Sequence, residues 1–497
     1  MKGILKRAIL PFFLLCLITL TLAACECKHK ETEWEVEKEA TCAVAGTKKQ
    51  LCTKCGEVLA TDFYQVGHMY EEGNCIYCKK AQYDSGYLVY NKITLDGVEG
   101  YEVAGRGNCS EYDLVIPSMH GSLPVLSVAE GAFMNEQRFT SVVFGVNIRR
   151  IGARAFYNCG ALTAVRFAQG SKMTSFGVEA FWGCTSLRSF EVPAGVQVLP
   201  LGLLSGCTAL QELTLPDGLT ALEDYALSEC TSLTGTVYEG LRYLGTEQVP
   251  YMILYGVADK TATGFNIPNG VRFVASNAFG GCTKLTGITL PEGVVSIGAY
   301  AFSGCGALTK ITLPTSVKAV GEYAFAGCKA FTDVTLPEGL VQLGMGAFRD
   351  CLRLTSVTLP STLRVLGASA FLGCPALQMN IYEGGKYLGN TANPYFVLVE
   401  AAERTATAIQ LHQSAVVIAN GALSGTAITA VVIPASVVAI GEGAFSGAAI
   451  TAVTFAATEG WQTAAAYGAA PAPRDVTSPA ANAAAFLGEY KDHYWYK

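Results

Sequence analysis

Over most of its length this chain repeats itself with a period of 23 residues. Cys159, Cys184, Cys207 and Cys230 are spaced by 25, 23 and 23 residues, and Cys282, Cys305, Cys328, Cys351 and Cys374 follow at a strict 23. The unit beginning at Leu285 reads LTGITLPEGVVSIGAYAFSGCGA, and the next two read LTKITLPTSVKAVGEYAFAGCKA and FTDVTLPEGLVQLGMGAFRDCLR. Within a unit, Leu308, Ile311 and Leu313 sit among threonines in the alternation of a short strand. Pro314 ends that strand because it has no N–H for a continuing ladder. A second extended piece closes at Gly321, and Ala-Phe-x-Gly-Cys makes a compact bend that turns Phe325 and Cys328 inward. A single unit cannot bury this apolar face, whereas stacked copies can. The spacing therefore predicts a solenoid, mostly β, of parallel short strands and compact turns. Roughly 14 turns at about 4.8 Å each give a length near 70 Å.

The two breaks in the period carry related text. Cys230 to Cys282 spans 52 residues, as does Cys374 to Thr426. Both intervals contain Tyr-Glu-Gly-x-x-Tyr-Leu-Gly, at Tyr238–Gly245 and Tyr382–Gly389, and then Pro-Tyr at Pro250-Tyr251 and Pro394-Tyr395. This is one longer variant turn used twice. From Leu411 the pattern erodes, with Thr426 and Ala448 in the cysteine position. Tyr87 to Asp113 reads as an entry cap. Trp461 and Tyr490–Lys497 read as an aromatic closing piece, and the Ala/Pro-rich stretch 464–485 between them as loosely ordered. The nine repeat cysteines read as a column of buried thiols. In-register neighbours have parallel side-chain vectors about 4.8 Å apart, while a bridge needs converging Cβ atoms near 3.8 Å. Cys109 reads as a buried singleton.

Upstream of the repeats the composition changes. Lys2, Lys6 and Arg7 precede an apolar run from Ala8 to Leu22 that ends in Leu22-Ala23-Ala24-Cys25. This segment resembles the lipobox of bacterial lipoproteins, which implies that Cys25 becomes the first mature residue and carries a diacylglyceryl group. An ordinary cleaved signal or an uncleaved anchor is the alternative. Residues 27–80 hold Cys27, His29, Cys42, Cys52, Cys55, His68, Cys75 and Cys78. The pairs Cys52-x-x-Cys55 and Cys75-x-x-Cys78, 19 residues apart, have the spacing of a four-cysteine zinc ribbon. Cys27, His29, Cys42 and His68 are candidates for a second, less regular site. Structural zinc is the expected cofactor, with disulfides as the competing reading in an oxidising compartment. The expected domains are a signal peptide over 1–24, a Cys/His-rich module over 25–82, a cap over 83–113, the solenoid over 114–457 and a closing tail over 458–497.

From about Leu114 to Phe455 the repeats resemble the BspA-like family of leucine-rich repeats, whose pattern is close to L-T-x-V-x-I-P-x-x-V-x-x-I-G-x-x-A-F-x-x-C. The closing residues are also similar to the tails of that family. The resemblance implies a leucine-rich-repeat solenoid on the bacterial cell surface, with adhesion to host or other cells as the role. The partner so implied is an extracellular protein or glycan. The net charge of −6 and the lack of a basic stripe argue against nucleic acid. None of the five histidines falls in a nucleophile or metalloprotease motif, so an enzyme is not expected. His120 reads as part of a surface turn. The candidate contact residues are Tyr243, Tyr251, Tyr255, Tyr387 and Tyr395 of the variant turns, with packing of that turn on its own solenoid as the alternative. A spacer of the envelope without a specific ligand is the competing function. Metal capture by the Cys/His module is a third.

Overall fold

The computed structural model describes residues 88–109, 112–465 and 472–497 in full. Of the first 87 residues it describes the strand backbones Thr32–Lys38, Gly46–Cys52, Val58–Tyr64, Tyr70–Glu71 and Asn74–Cys75. The first three strands form an antiparallel sheet in which Thr32 faces Cys52, and Tyr70 faces Cys75 in the two-residue pair. Cys25, Cys27, His29, Cys42, Cys55, His68 and Cys78 lie outside the described residues, as do the side chains of Cys52 and Cys75.

From Ser85 onward the chain is a second compact unit, a β-solenoid of about 15 turns with repeats of about 23 residues. Each regular turn contributes two strands. A two-residue strand, as at Ser296–Ile297, Ala319–Val320 and Gln342–Leu343, pairs in parallel with its counterpart one turn away. A longer strand, as at Asp333–Thr335, pairs with Ser356–Thr358 and buries its central Val334 while Asp333 and Thr335 face solvent. The alternation read from the sequence is thus the in–out alternation of the strand. Exposed threonines add a lateral ladder, with Thr286 Oγ1 donating to Thr263 O at 3.1 Å and Thr309 Oγ1 to Thr286 O at 3.0 Å.

The bend after each short strand packs phenylalanines in a stack. Ring centroids are 4.7 Å apart for Phe279–Phe302, 5.3 Å for Phe302–Phe325 and 5.1 Å for Phe325–Phe348, with interplanar angles of 15° or less. Beside them eight of the nine repeat thiols form the expected buried column, and Cys374 at its end is half-buried. Eight of the nine S–H groups also donate to a carbonyl, as in Cys305 Sγ to Phe279 O at 3.2 Å, Cys328 Sγ to Phe302 O at 3.3 Å and Cys351 Sγ to Phe325 O at 3.3 Å. The cysteine therefore fills core volume and satisfies a carbonyl of the preceding turn. Burial pushes the Cys159, Cys230 and Cys328 thiols up to about 12. Because the thiolate is the reactive form, these thiols should react with Ellman's reagent at pH 8 at least about a hundredfold more slowly in the native chain than in guanidinium. Native reaction as fast as in denaturant would contradict the packing.

The recurring glycine before each bend serves close approach. A Cβ on Gly344 would lie 2.5 Å from Gly321 C and 2.6 Å from Glu322 N, and one on Gly298 would lie 2.6 Å from Ser276 N. No side chain fits between the backbones of neighbouring turns there.

Both ends are closed. A hairpin of Val89–Leu95 and Val98–Gly105, turning through Asp96 and Gly97 at positive φ, docks Tyr101–Val103 in parallel on Val125–Val128. His120 lies not in an open turn but on strand Met119–His120, stacked on Tyr90 at 3.9 Å. Cys109 is buried in this first core. At the far end Tyr494–Tyr496 pairs antiparallel with Ala439–Ile440 and Gln462–Ala464. Trp461, Phe486 and Trp495 cover the last turn. The expectation of loose order over 464–485 is corrected for its last seven residues, which belong to a helix, Pro479–Leu487, capped by the Ser478 side chain, while 466–471 lie outside the described residues. Its Asn482 Nδ2 donates to Val453 O and Val476 O, both at 2.9 Å, and Phe486 packs on Phe445 and Trp495. Alanine-rich composition there serves helix formation on an apolar end face.

Candidate functional site

Each variant turn is a β-hairpin inserted into the solenoid. Leu241–Leu244 pairs antiparallel with Thr236–Tyr238 on one side and with Ile253–Val257 on the other, and the latter strand then joins the parallel ladder at Phe273–Val274. Gly385–Leu388 repeats this with Asn380–Tyr382 and Val397–Ala401, which joins at Val417–Ile418. In both places the hairpin supplies a ladder strand but no Ala-Phe-x-Gly-Cys bend, so a cleft opens between the bend before it and the bend after it.

The two clefts are equivalent at a constant offset of 144 residues. The first, of about 690 Å³, is lined by Tyr225, Leu227, Ser228, Glu229, Cys230, Leu233, Arg242, Tyr255, Gly256, Val257, Ser276 and Asn277. The second, of about 640 Å³, is lined at the matching positions by Ser369, Phe371, Leu372, Gly373, Cys374, Leu377, Lys386, Val399, Glu400, Ala401, Asn420 and Gly421. Volumes of this size suit a ligand segment rather than a single ion. Their floors differ in charge. Lys386 Nζ lies 2.7 Å from Glu400 in the second cleft, whereas the first has Gly256 in place of that carboxylate and sets Arg242 beside Tyr255. Tyr255 donates its hydroxyl to Leu233 O at 3.2 Å.

This geometry sorts the five expected contact tyrosines. Tyr243 and Tyr387 are fully buried, which corrects their assignment as contact residues. Each faces inward on the central hairpin strand, and the Tyr387 hydroxyl accepts the His412 N–H at 3.1 Å. Tyr251 and Tyr395 are half-buried against them, ring to ring at 5.1 and 5.6 Å. Of the five, Tyr255 lines a cleft. Leu227, Ser228, Glu229, Phe371, Leu372 and Gly373, which also line the clefts, were missed in the sequence because they belong to ordinary bends. The signal that would have found them is the missing bend itself, present in both 52-residue intervals.

The first gap is bridged by side chains. Tyr225 N–H donates to Ser276 Oγ at 2.9 Å, and Asp224 Oδ1 accepts the N–H of Ala299, 75 residues on, at 2.6 Å. Burial pushes the Asp224 carboxyl up to about 6, opposed by the Ala299 N–H and reinforced by the neighbouring Glu322 and Glu223 charges. The folded chain therefore holds this proton more tightly than the unfolded chain. The resulting stabilisation is complete below the unfolded value of about 4 and is lost as pH rises through 6. Urea unfolding of the native chain and of Asp224→Asn should show the difference directly. Between pH 4.5 and 7.5 the native chain should lose about 1–2 kcal/mol more than the variant, which keeps an acceptor for Ala299 without a charge. Parallel pH profiles would sink this assignment.

The match to a family profile agrees with this architecture. The profile of the BspA type leucine rich repeat region matches residues 116–247, 257–378 and 402–463, well over half of the chain. Its interruptions fall within the two inserted turns. Among solved structures, a leucine rich cell surface protein from Faecalibacterium prausnitzii A2-165 is 27% identical, covering 60% of this chain and 93% of that one, with a TM-score of 0.30. The pneumococcal vaccine antigen PcpA is 18% identical, covering 67% and 92%, with a TM-score of 0.34. A leucine-rich repeat protein from Bacteroides ovatus ATCC 8483 is 25% identical, covering 59% and 92%, with a TM-score of 0.24. No curated protein matches the chain.

Proposed function

The chain belongs to the BspA-type leucine-rich-repeat family, and on that premise we propose that it is a lipid-anchored cell-surface protein whose solenoid binds an extracellular protein or glycan and catalyses no reaction. The observation that carries this reading is the pair of equivalent clefts on an otherwise regular ladder. A solenoid presents such features along a rigid surface without disturbing the core that positions them. Adhesion to host or other cells is the biological form of this activity. The experiment is an array of host matrix proteins and glycans probed with the full chain. Saturable binding supports the proposal. Silence from a chain shown by circular dichroism to be folded would overturn it and leave the spacer.

Two parts of the proposal have their own tests. Lipid attachment at Cys25 predicts that labelled fatty acid enters the native chain in cells and is absent from Cys25→Ala. A zinc ribbon built from Cys52, Cys55, Cys75 and Cys78 predicts one tightly held zinc per chain, lost in Cys52→Ser. A second zinc would draw in Cys27, His29, Cys42 and His68. A metal-free chain in which these thiols are oxidised would favour disulfides instead.

A further inference from the structure

The hydrogen bonds between bends show what the clefts are shaped to receive. In a regular turn three N–H groups of one bend donate to three carbonyls of the next: Tyr300 to Glu322 at 2.8 Å, Phe302 to Ala324 at 2.7 Å and Gly304 to Ala326 at 2.8 Å. The same triplet recurs at bends on both sides of each cleft, for example from Gly202, Leu204 and Gly206 to Asp224, Ala226 and Ser228. It fails at the clefts. Among the described residues the N–H groups of Leu227 and Glu229 have no protein acceptor, and neither do those of Phe371 and Gly373 at the matching positions. These four residues line the clefts. On the opposite wall the carbonyls of Ser276 in the first cleft and of Asn420 and Ser424 in the second receive no donor among the described residues. Each cleft thus has a wall of backbone donors at alternate residues and a facing wall with backbone acceptors, one bend apart.

We propose that each cleft binds one polypeptide segment that takes the place of the missing bend through main-chain hydrogen bonds. Alternate-residue donors match carbonyls presented at alternate residues of a peptide, which is the register that the solenoid itself uses between bends. The segment's own N–H groups meet the facing carbonyls. Arg242 and the Lys386–Glu400 pair on the two floors give the clefts different side-chain preferences. The clefts are six turn spacings apart, about 29 Å at 4.8 Å per turn. About nine extended residues span that distance, so a ligand with two such segments gains from engaging both clefts. This inference rests on the binding reading above and narrows its partner to a polypeptide.

The test uses a phage-displayed random dodecapeptide library panned on the full chain, with a glycan array alongside. The cleft-blocking variants are Gly256→Trp and Glu400→Trp. A Cβ at Gly256 would meet only Arg242 Cδ at 3.9 Å, so the larger residue fills the cleft rather than the core, and unchanged thermal melts confirm folding. Peptides selected on the native chain should lose at least tenfold in affinity on one or the other variant. Their binding should slow amide exchange at Leu227 and Glu229 or at Phe371 and Gly373. Replacing single peptide amides by esters, which weakens the acceptors, should reduce binding at alternate positions. Selection of the same peptides by the double variant would overturn the cleft assignment. So would the recovery of no peptide at all. Glycan binding that disappears in the double variant would also overturn it in favour of a saccharide site. Matrix-protein binding that survives in the double variant would sink the cleft proposal while leaving the solenoid a binding protein.

Discussion

Replacing Phe302 by Ala should destabilise the solenoid by about 3–5 kcal/mol, the range of a large ring deleted from a packed core. Phe302 is fully buried and stacked between Phe279 and Phe325, and its carbonyl accepts the Cys328 thiol. Removing the ring deletes dispersion contacts on both faces and leaves a cavity between turns that the backbone ladder holds at fixed spacing. The neighbours cannot close in, because the ladder of parallel two-residue strands and the bend hydrogen bonds set the rise per turn. Urea unfolding followed by circular dichroism reads the loss. Hydrogen exchange should place the loosened amides in the turns next to the substitution, since a repeat array transmits destabilisation through nearest-neighbour interfaces. A change below about 1 kcal/mol would mean that the stack is incidental to stability.

Gly344→Ala should be nearly as damaging for the opposite reason. One added methyl meets backbone atoms of the preceding turn at 2.5 and 2.6 Å, and backbone cannot rotate away as a side-chain end can. The turns must separate or the bend must distort, at about 3 kcal/mol. Gly306 is the control. A Cβ there meets nothing within 4 Å, so Gly306→Ala should be neutral or stabilising by up to about 1 kcal/mol through the unfolded state. Equal effects of the two substitutions on the urea midpoint would remove close approach as the reason for the recurring glycine.

Much of the architecture was legible because a solenoid writes its nearest-neighbour contacts into the sequence once per turn. The Leu308, Ile311 and Leu313 alternation, the inward Phe325 and Cys328, and the absence of bridges among the repeat thiols all follow from the side-chain directions of one turn repeated at a fixed rise. The variant turn was also legible as one element used twice, since its text recurs at a fixed offset. Its tyrosines were less so. Tyr243 and Tyr387 occupy alternating positions on a hairpin strand, and the alternation alone allows either face to be the buried one. The answer depends on the ladder strand that the hairpin covers. The helix at Pro479–Leu487 was hidden for a related reason, because its apolar partner is the end face of the last turn and not another part of its own segment.

The period, the strands, the bends, the inward cysteines and the doubling of the inserted turn could thus be read from the chain, because each is set by contacts between residues a fixed distance apart in it. The clefts, the unpaired donors on their walls and the reach of Asp224 to Ala299 emerge on folding. Those features arise where two bends that are not consecutive are brought face to face. A missing bend shows in the chain as a 52-residue interval, but its consequence exists only once the turns on either side have been stacked.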